Sequence, residues 1–449
     1  MGTGNLSLIE SVPGARRLVS SLRDLGYEFV QAVADVVDNS IAAGATKVAI
    51  TLTFSGPDSW ILITDNGKGM SGPELTEAMR YGAERDYDGL DLGKFGLGLK
   101  TASLSQCRKL TVASRCSPNE RRLEVRCWDL DHILSTNRWE MVNVTAAQRD
   151  ERVSEPLLDS VGTVVLWEGL ERILKYRVSW GAKANQGFLV LAERLDEHLA
   201  MVFHRFLSGQ ARRRKKLSIT INGSPVTPWD PFARDESKTE TLQEQEFEVS
   251  ATDRTGIVSF QPFILPNRQM FSSEAAFQRY AGPAKWNYQQ GFYIYRADRM
   301  IQSGGWSRMR APDEHTKLAR IAINFYSDLD TAFAINVAKM SVTLPSDLKD
   351  QMAGIVESVV KRAKAVYNKE LEVKFPPSPA PPPTTNQPSA AKHNPVPPPP
   401  TTRTSAAPRY AARVYLEQAA KAAGEGSALN RIAAELKKFA PEVADELGW

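Results

Sequence analysis

The stretch FVQAVADVVDNSIAAGA, residues 29–45, carries the clearest chemical pattern in the 449-residue chain. Its apolar residues recur three and four positions apart, which predicts an amphipathic helix with one buried face. Asp35, Asp38 and Asn39 are spaced i, i+3 and i+4, so they share one face of that helix. Taken alone, this trio also fits an ordinary solvated helix face. Its interpretation therefore depends on the motifs that follow.

Two strand patterns, VAITLTF and SWILITD, follow this helix and lead into the turn DNGKGM, residues 65–70. Gly67 and Gly69 permit positive φ and let the backbone approach a flat ligand closely. A buried Asp65 at the end of the strand can accept a hydrogen bond from an exocyclic amine, as the recognition of adenine requires. An ordinary hairpin turn would also explain this motif on its own.

A glycine-rich loop, GKFGLGLK at residues 93–100, opens a third segment with a helical pattern. Such a loop presents unpaired backbone N–H groups and the positive end of the helix dipole to phosphates. It does not follow a strand, and it lacks the GK[ST] ending of a P-loop. The pattern therefore excludes the dinucleotide-binding fingerprint and the P-loop.

These three motifs, in this order and within about 70 residues, resemble the GHKL family of gyrase, the ninety-kilodalton heat-shock chaperone, histidine kinases and MutL. Gly162-Thr163 before the strand TVVLW is similar to the family's Gly-Thr pair, and the resemblance covers residues 20 to 170. It implies an α+β fold, the Bergerat ATP-binding sandwich of helices on a mixed sheet. It also implies ATP and Mg²⁺ as ligands.

The resemblance assigns a role to each motif. Asp35 would be the general base that activates water, Asn39 the side-chain ligand of Mg²⁺, and Asp65 the adenine acceptor supported by the Thr163 hydroxyl. Lys100 would be an additional cation near the phosphates, unless it is a solvated lysine of the first helical turn. The predicted ATP-binding residues are Asp35, Asn39, Asp65, Gly67, Gly69, Met70, Gly93, Lys94, Phe95, Gly96, Leu97, Gly98, Leu99, Lys100 and Thr163.

The chain departs from the family's common pattern at the base, where Glu is usual and Asp35 is one methylene shorter. A shorter carboxylate reaches the attacking water less well, so we expect slow hydrolysis or a share of the role for Asp38. Residues 80–96, RYGAERDYDGLDLGKFG, have little apolar periodicity, which suits a mobile lid over ATP.

The pattern divides the chain into four parts: an ATP-binding domain at 1–175, a second, transducer-like α/β domain at 176–375, a Pro-rich linker at 376–408 and a small helical tail at 409–449. The linker holds 13 of the 27 prolines and cannot form a core. The helix that carries Asp35 is predicted to begin by about residue 28, so we do not expect the phosphoacceptor helices of a histidine kinase before it.

The second domain, with ITING as its predicted first strand, resembles that of MORC-like and bacterial stand-alone GHKL proteins. In these relatives a lysine of this domain contacts the γ-phosphate. Lys339 is our candidate, and an exposed loop lysine is the alternative.

Composition narrows the possible partners. Hydrophobic residues at 42% and charged residues at 24% exclude wholesale disorder, a collagen repeat and a membrane bundle. The formal net charge of +4 confines any basic surface to a local patch. The candidate nucleic-acid contact is the run Arg212, Arg213, Arg214, Lys215 and Lys216, which Arg308 and Arg310 would extend. A solvated loop would also explain this run.

The three cysteines fit neither a zinc site nor a disulfide framework, so we expect a reducing cytoplasm. Because no stretch has enough uninterrupted apolar residues for a spanning helix, we expect no membrane insertion.

Together these features predict an ATP-gated switch that forms a homodimer on binding ATP and clamps or remodels DNA or RNA. Two other functions stay open at this point. One is a chaperone-like ATPase acting on protein clients. The other is a nucleotide-stabilised scaffold that recruits a protein partner through the Pro-rich linker or the helical tail.

Overall fold

A computed structural model of the chain describes residues 12–374 except 25, 83–97, 118, 120–122, 176, 177, 179, 251–253 and 336–341, and in addition Ala434 and Lys437. The chain divides into two compact units, Met1–Ser378 and Pro379–Trp449. The predicted linker lies outside the described residues, as does the predicted tail apart from Ala434 and Lys437, which are helical and exposed. Within the described part of the chain, no helix is long and apolar enough to cross a membrane.

The first unit begins with an eight-stranded sheet and the helices that pack against it. Its strands are β1 (Lys47–Thr53), β2 (Trp60–Asp65), β3 (Lys109–Arg115), β4 (Glu124–Asp129), β5 (Val142–Asn143), β6 (Gly162–Glu168), β7 (Ser218–Ile221) and β8 (Ser224–Pro225). Their order across the sheet is β5-β4-β3-β6-β2-β1-β7-β8, and neighbours are antiparallel except the parallel pair β1 and β7.

The helices of this half are α1 (Ala15–Arg23), α2 (Phe29–Ala42), α3 (Gly72–Met79), α4 (Gly98–Gln106), α5 (Leu130–Thr136), α6 (Glu151–Ser154), α7 (Ala182–Val202) and α8 (His204–Ser208). A capping box between Glu28 and Gln31 begins α2, and the chain turns at Gly44 with φ +77°. The apolar residues of α2 are buried, and α2 packs against α4 and α7. The predicted helix is therefore present, but it is buried on almost every side and not on one face alone.

We predicted that ITING forms the first strand of the second domain. Instead, its strand ITI is β7 of the first sheet. β7 pairs in parallel with β1, with Val48 opposite Ile219 and Ile50 opposite Ile221. Ile219 and Ile221 are buried, so burial at the edge of the first sheet favours this pairing. The first sheet thus includes residues well beyond 175.

A second sheet of six strands follows, made of β9 (Glu240–Thr241), β10 (Gln245–Ser250), β11 (Thr255–Ile264), β12 (Gly291–Arg296), β13 (Arg299–Ser303) and β14 (Ala319–Phe325). The order is β10-β11-β14-β12-β13, and β9 pairs with β11. Its helices are α9 (Glu274–Ala281), α10 (Lys285–Tyr288) and α11 (Ser346–Lys374), and α11 packs against β10, β11 and β14. The α+β fold with a second α/β domain is confirmed.

Residues 331–335, which we predicted to be part of a strand, form a turn instead. Phe333 is fully buried there and stacks on Phe325 of β14, with ring centroids 3.9 Å apart. Ala334 has a φ of +46°, which an extended strand does not allow. Burial of Phe333 against Phe325 therefore favours this turn over the strand that the sequence pattern predicts.

Candidate functional site

Asp65, the predicted adenine acceptor, lies at the end of β2 and is 9% exposed. The Gly67 amide donates to its Oδ1 over 2.8 Å, and the Ser40 hydroxyl of α2 donates to its Oδ2 over 2.9 Å. Burial raises the pKa of Asp65, and hydrogen bonds from Gly67, Ser40 and the Thr163 backbone oppose that rise. The result is a buried carboxylate held by neutral donors at the surface of the sheet.

A row of residues across three strands supports Asp65 from behind. Thr163 of β6 is the register partner of both Asp65 and Ser114 of β3. The Thr163 hydroxyl, which we predicted to support Asp65, lies 3.0 Å from Ser114 Oγ, and support reaches Asp65 through the Thr163 backbone. Ser114 Oγ also accepts the Met70 amide over 2.9 Å. Met70 is thereby fixed beside the Asp65 turn.

The two glycines of the DNGKGM turn are required by close internal packing. A Cβ added at Gly67 would lie 2.8 Å from Ala43 Cβ and 2.9 Å from Asp65 Oδ1. Gly69 has a φ of +66°, and a Cβ there would lie 1.9 Å from the Arg115 carbonyl oxygen. These contacts fix the turn, whereas we had expected the glycines mainly to make room for the base.

Asp35, the predicted general base, lies on α2 and is 2% exposed. Tyr27 Oη donates to Asp35 Oδ2 over 3.2 Å. A Cβ added at Gly98, the first residue of α4, would lie 3.5 Å from the same oxygen. The beginning of the helix that follows the glycine-rich loop thus reaches the carboxylate predicted to activate water.

Asn39 is exposed, one helical turn after Asp35, and its Nδ2 donates to the Asp35 carbonyl over 2.9 Å. This hydrogen bond uses the amide nitrogen, so the amide oxygen remains as an acceptor. In the described ranges no three His, Cys, Asp or Glu side chains cluster closely enough to hold a metal ion. The donor set fits Mg²⁺ with one protein ligand and the rest from phosphates and water.

Arg299 of β13 is a site residue that the sequence did not reveal. Its Nε donates to Asp38 Oδ2 over 2.8 Å and Oδ1 over 3.0 Å, and its NH2 nitrogen lies 3.8 Å from Asp35 Oδ1. The Arg299 side chain is 4% exposed. Asp38, which we expected to share the base role, is therefore an ion-pair partner. The available signal was an arginine at the beginning of a strand, directly before Met300 and Ile301, because a buried arginine needs a carboxylate.

Lys100 has a contact that neither of its two interpretations anticipated. It is buried in the first turn of α4, and its Nζ donates to the Ala78 carbonyl of α3 over 3.1 Å. Burial lowers the pKa of Lys100 to about 8. Lys100 therefore joins the beginning of α4 to the last turn of α3.

The remaining predicted residues fall into two groups. Gly98 and Leu99 are half-buried at the beginning of α4. The glycine-rich loop residues and the γ-phosphate candidate lie outside the described residues; these are Gly93, Lys94, Phe95, Gly96, Leu97 and Lys339.

Sequence comparison agrees with this geometry. Residues 27–163 match the family described as histidine kinase-, DNA gyrase B-, and HSP90-like ATPase, and this range includes Asp35, Asn39, Asp65 and Thr163. The chain is similar to DNA mismatch repair protein MutL of Thermosipho africanus, with 33% identity over 97 residues, 20% of this chain and 17% of that protein. MutL of Rhodospirillum rubrum is 36% identical over 90 residues, 19% of this chain and 14% of that protein. The match spans less than a fifth of these relatives.

Proposed function

We propose that this protein, in which residues 27–163 form an ATPase domain of the GHKL family, is an ATP-gated dimerising switch that hydrolyses ATP slowly. The observation that carries the proposal is the role of α2. Through Ser40 this helix holds the adenine acceptor Asp65, and five residues earlier it carries Asp35. Five residues correspond to about 7.5 Å along a helix axis. One rigid element therefore links recognition of the base to the hydrolytic carboxylate.

In this proposal Asp35 accepts a proton from the attacking water, and Asn39 contributes its amide oxygen to Mg²⁺. The metal would neutralise charge on the phosphates. Burial of Asp35 and its hydrogen bond from Tyr27 limit its movement. Because Asp35 cannot extend as far as Glu, we expect turnover to be slow.

The proposed switch is tested by light scattering of the full chain with Mg²⁺, comparing no nucleotide, ADP and a nonhydrolysable ATP analogue. We expect the mass to double only with the analogue. Asp65→Asn is the matched control, because it should remove adenine recognition and leave the mass unchanged under all three conditions. A constant mass in a protein that demonstrably binds ATP would contradict the switch and favour a nucleotide-stabilised scaffold.

DNA is the partner that we propose for the basic run Arg212–Lys216. Arg214 donates to the Ile41 carbonyl of α2 over 3.4 Å, and the Arg212 amide donates to Asp298 over 2.8 Å. These contacts seat the run against α2 and the second sheet, and Arg213, Lys215 and Lys216 are exposed. The MutL relatives are named as DNA mismatch repair proteins, which favours DNA over a protein client.

Replacing Arg213, Lys215 and Lys216 by Gln should weaken DNA binding and flatten its salt dependence. Three phosphate contacts correspond to a change of about 2.7 in the slope of log K against log salt. Lys361, Lys364 and Lys369, all exposed on α11, provide a control triple variant with the same change of charge. Equal DNA binding by both triple variants would identify the run as a solvated loop.

Lys339 remains our candidate for the γ-phosphate contact, by analogy with the second domain of the relatives. Lys339→Ala should weaken binding of ATP more than binding of ADP, because ADP lacks the terminal phosphate. Equal losses for the two nucleotides would remove Lys339 from the γ-phosphate. Titration calorimetry with both nucleotides makes this comparison.

A further inference from the structure

An ion pair connects the second sheet to the hydrolytic end of the nucleotide site. Arg299 opens β13, whereas Asp35 and Asp38 lie on α2, and all three side chains are almost fully buried. Arg299 Nε bonds both oxygens of Asp38, and the NH2 nitrogen of the same guanidinium lies 3.8 Å from Asp35. One rigid, planar cation therefore faces two carboxylates of one helix face.

The turn before Arg299 is fixed by contacts from α8, from the basic run and from Asp330. Its two residues have positive φ, +45° at Ala297 and +68° at Asp298. Asp298 accepts hydrogen bonds from Arg205 NH1 over 2.9 Å and from the Arg212 amide over 2.8 Å. Arg296, on the other side of the turn, pairs with buried Asp330 over 2.6 and 2.9 Å. The position of Arg299 is thus set by contacts that do not involve α2.

Two titratable groups near Asp35 and Arg299, Tyr27 and His198, are uncharged at neutral pH. Tyr27 donates to Asp35 Oδ2, and burial together with Asp35 keeps the Tyr27 pKa far above its usual value. His198 of α7 has its pKa lowered to about 4, by burial first and then by Arg299. His198 Nε2 is buried and has no hydrogen-bond partner among the described residues. Arg299, which also holds Asp38, brings a charged group to within 3.8 Å of Asp35.

We propose that Arg299 is a positioning residue for ATP hydrolysis, which orients Asp35 while it anchors Asp38. This inference rests on the proposed function and adds a role for the second domain in the chemistry of the first. Any movement that withdraws β13 from α2 would remove the cation from the base. ATP would still bind through Asp65, but its hydrolysis would slow.

The test compares Arg299→Gln, Arg299→Lys and Arg296→Gln in the full chain. Arg296→Gln is the matched control, since it breaks a buried ion pair on the same turn without touching α2. Misplacing a reacting group can lower the rate about 100-fold, so we expect Arg299→Gln to lower kcat by about that factor. Its ATP affinity should stay close to wild type, and Arg299→Lys should restore part of kcat. Equal kcat values for Arg299→Gln and Arg296→Gln, or a loss confined to ATP affinity, would overturn the inference.

A second measurement does not depend on turnover or on Arg299→Gln folding. The carboxyl ¹³C signal of Asp35, assigned by its absence in Asp35→Asn, is compared at one pH in wild type, the Arg299 variants and Arg296→Gln. Loss or replacement of the guanidinium 3.8 Å away should move this signal in Arg299→Gln and Arg299→Lys, whereas Arg296→Gln should leave it at the wild-type position. An unmoved signal in the Arg299 variants that fold would overturn the inference. A wild-type chain that binds ATP without hydrolysing it would refute the hydrolytic proposal, and the position of the signal would still decide whether Arg299 contacts Asp35.

Discussion

The two ends of the nucleotide site are built in different ways. At the adenine end, Asp65 is held by Ser40, Gly67 and Thr163, all neutral donors from the matched ATPase domain. At the hydrolytic end, Asp38 is held by Arg299, which lies 261 positions away in the second sheet. In the proposed site, recognition of the base would therefore be local to one domain, whereas the geometry of the hydrolytic end would depend on contact between the two sheets.

The two ends also differ in the free energy that the loss of one contact would cost. A hydrogen bond from a neutral donor to a carboxylate contributes about 1.5–3 kcal/mol, and Asp65 keeps its other donors when one of them is lost. Removing one partner from a buried ion pair costs about 3–5 kcal/mol, because an uncompensated charge remains. We therefore expect the adenine end to be tuned by small changes and the hydrolytic end to respond abruptly to movement between the domains.

Asp35→Ala should have the largest effect and should separate the two ends. We expect kcat to fall about 10²- to 10⁴-fold, the usual contribution of general acid–base catalysis. ATP affinity should remain close to wild type, because every contact of Asp65 is preserved. Steady-state hydrolysis and calorimetric binding provide the two numbers.

The control for this prediction is Asp159→Ala, which removes an exposed aspartate of the same domain. It should leave both kcat and affinity unchanged. If Asp35→Ala still hydrolysed ATP at the wild-type rate, Asp35 would not be the base, and Asp38 would become the next candidate.

Asp65→Asn should have the next largest effect and should act on binding alone. The amide replaces an acceptor by a donor that faces the exocyclic amine of adenine. Loss of a hydrogen bond to a charged group, about 1.5–3 kcal/mol, weakens binding by up to about 100-fold. Titration calorimetry measures the affinity, and thermal unfolding checks that the fold is intact. Unchanged affinity in a folded variant would contradict the adenine assignment.

The adenine end was largely predictable from the sequence, and the hydrolytic end only in part. The spacing of Asp35, Asp38 and Asn39 within one helix fixes their common face, and the turn at Gly67 and Gly69 is a local motif. Short-range geometry is enough for such features.

Long-range partners could not be predicted in the same way. The pairing of β7 with β1 and of Arg299 with Asp38 joins residues that the chain separates widely. A strand pattern gives the side-chain alternation but not the neighbouring strand. An arginine in a strand calls for a carboxylate without identifying which one. Ser40 was missed because its hydroxyl has a role only once Asp65 approaches α2.

Ser40→Ala should have the smallest effect on ATP affinity, and it should also change how that affinity depends on pH. It removes the donor to Asp65 Oδ2, so we expect ATP affinity to fall about tenfold, equivalent to about 1.5 kcal/mol, the lower end for a hydrogen bond to a charged group. Asp65 accepts the adenine amine most strongly when ionised, so ATP binding is strongest above its pKa and weakens as pH falls through it. Burial raises this pKa and the Ser40 hydrogen bond lowers it, so the loss of affinity should begin at a higher pH in Ser40→Ala.

Ser103→Ala is the matched control for Ser40→Ala, because Ser103 is buried on α4 and its hydroxyl has no hydrogen-bond partner among the described residues. Its affinity should follow the wild-type curve throughout a calorimetric pH series. Parallel curves for wild type and Ser40→Ala would mean that Ser40 does not control the ionisation of Asp65. The adenine end would then depend on the Gly67 and Thr163 backbone donors alone, and α2 would no longer link the two ends of the site.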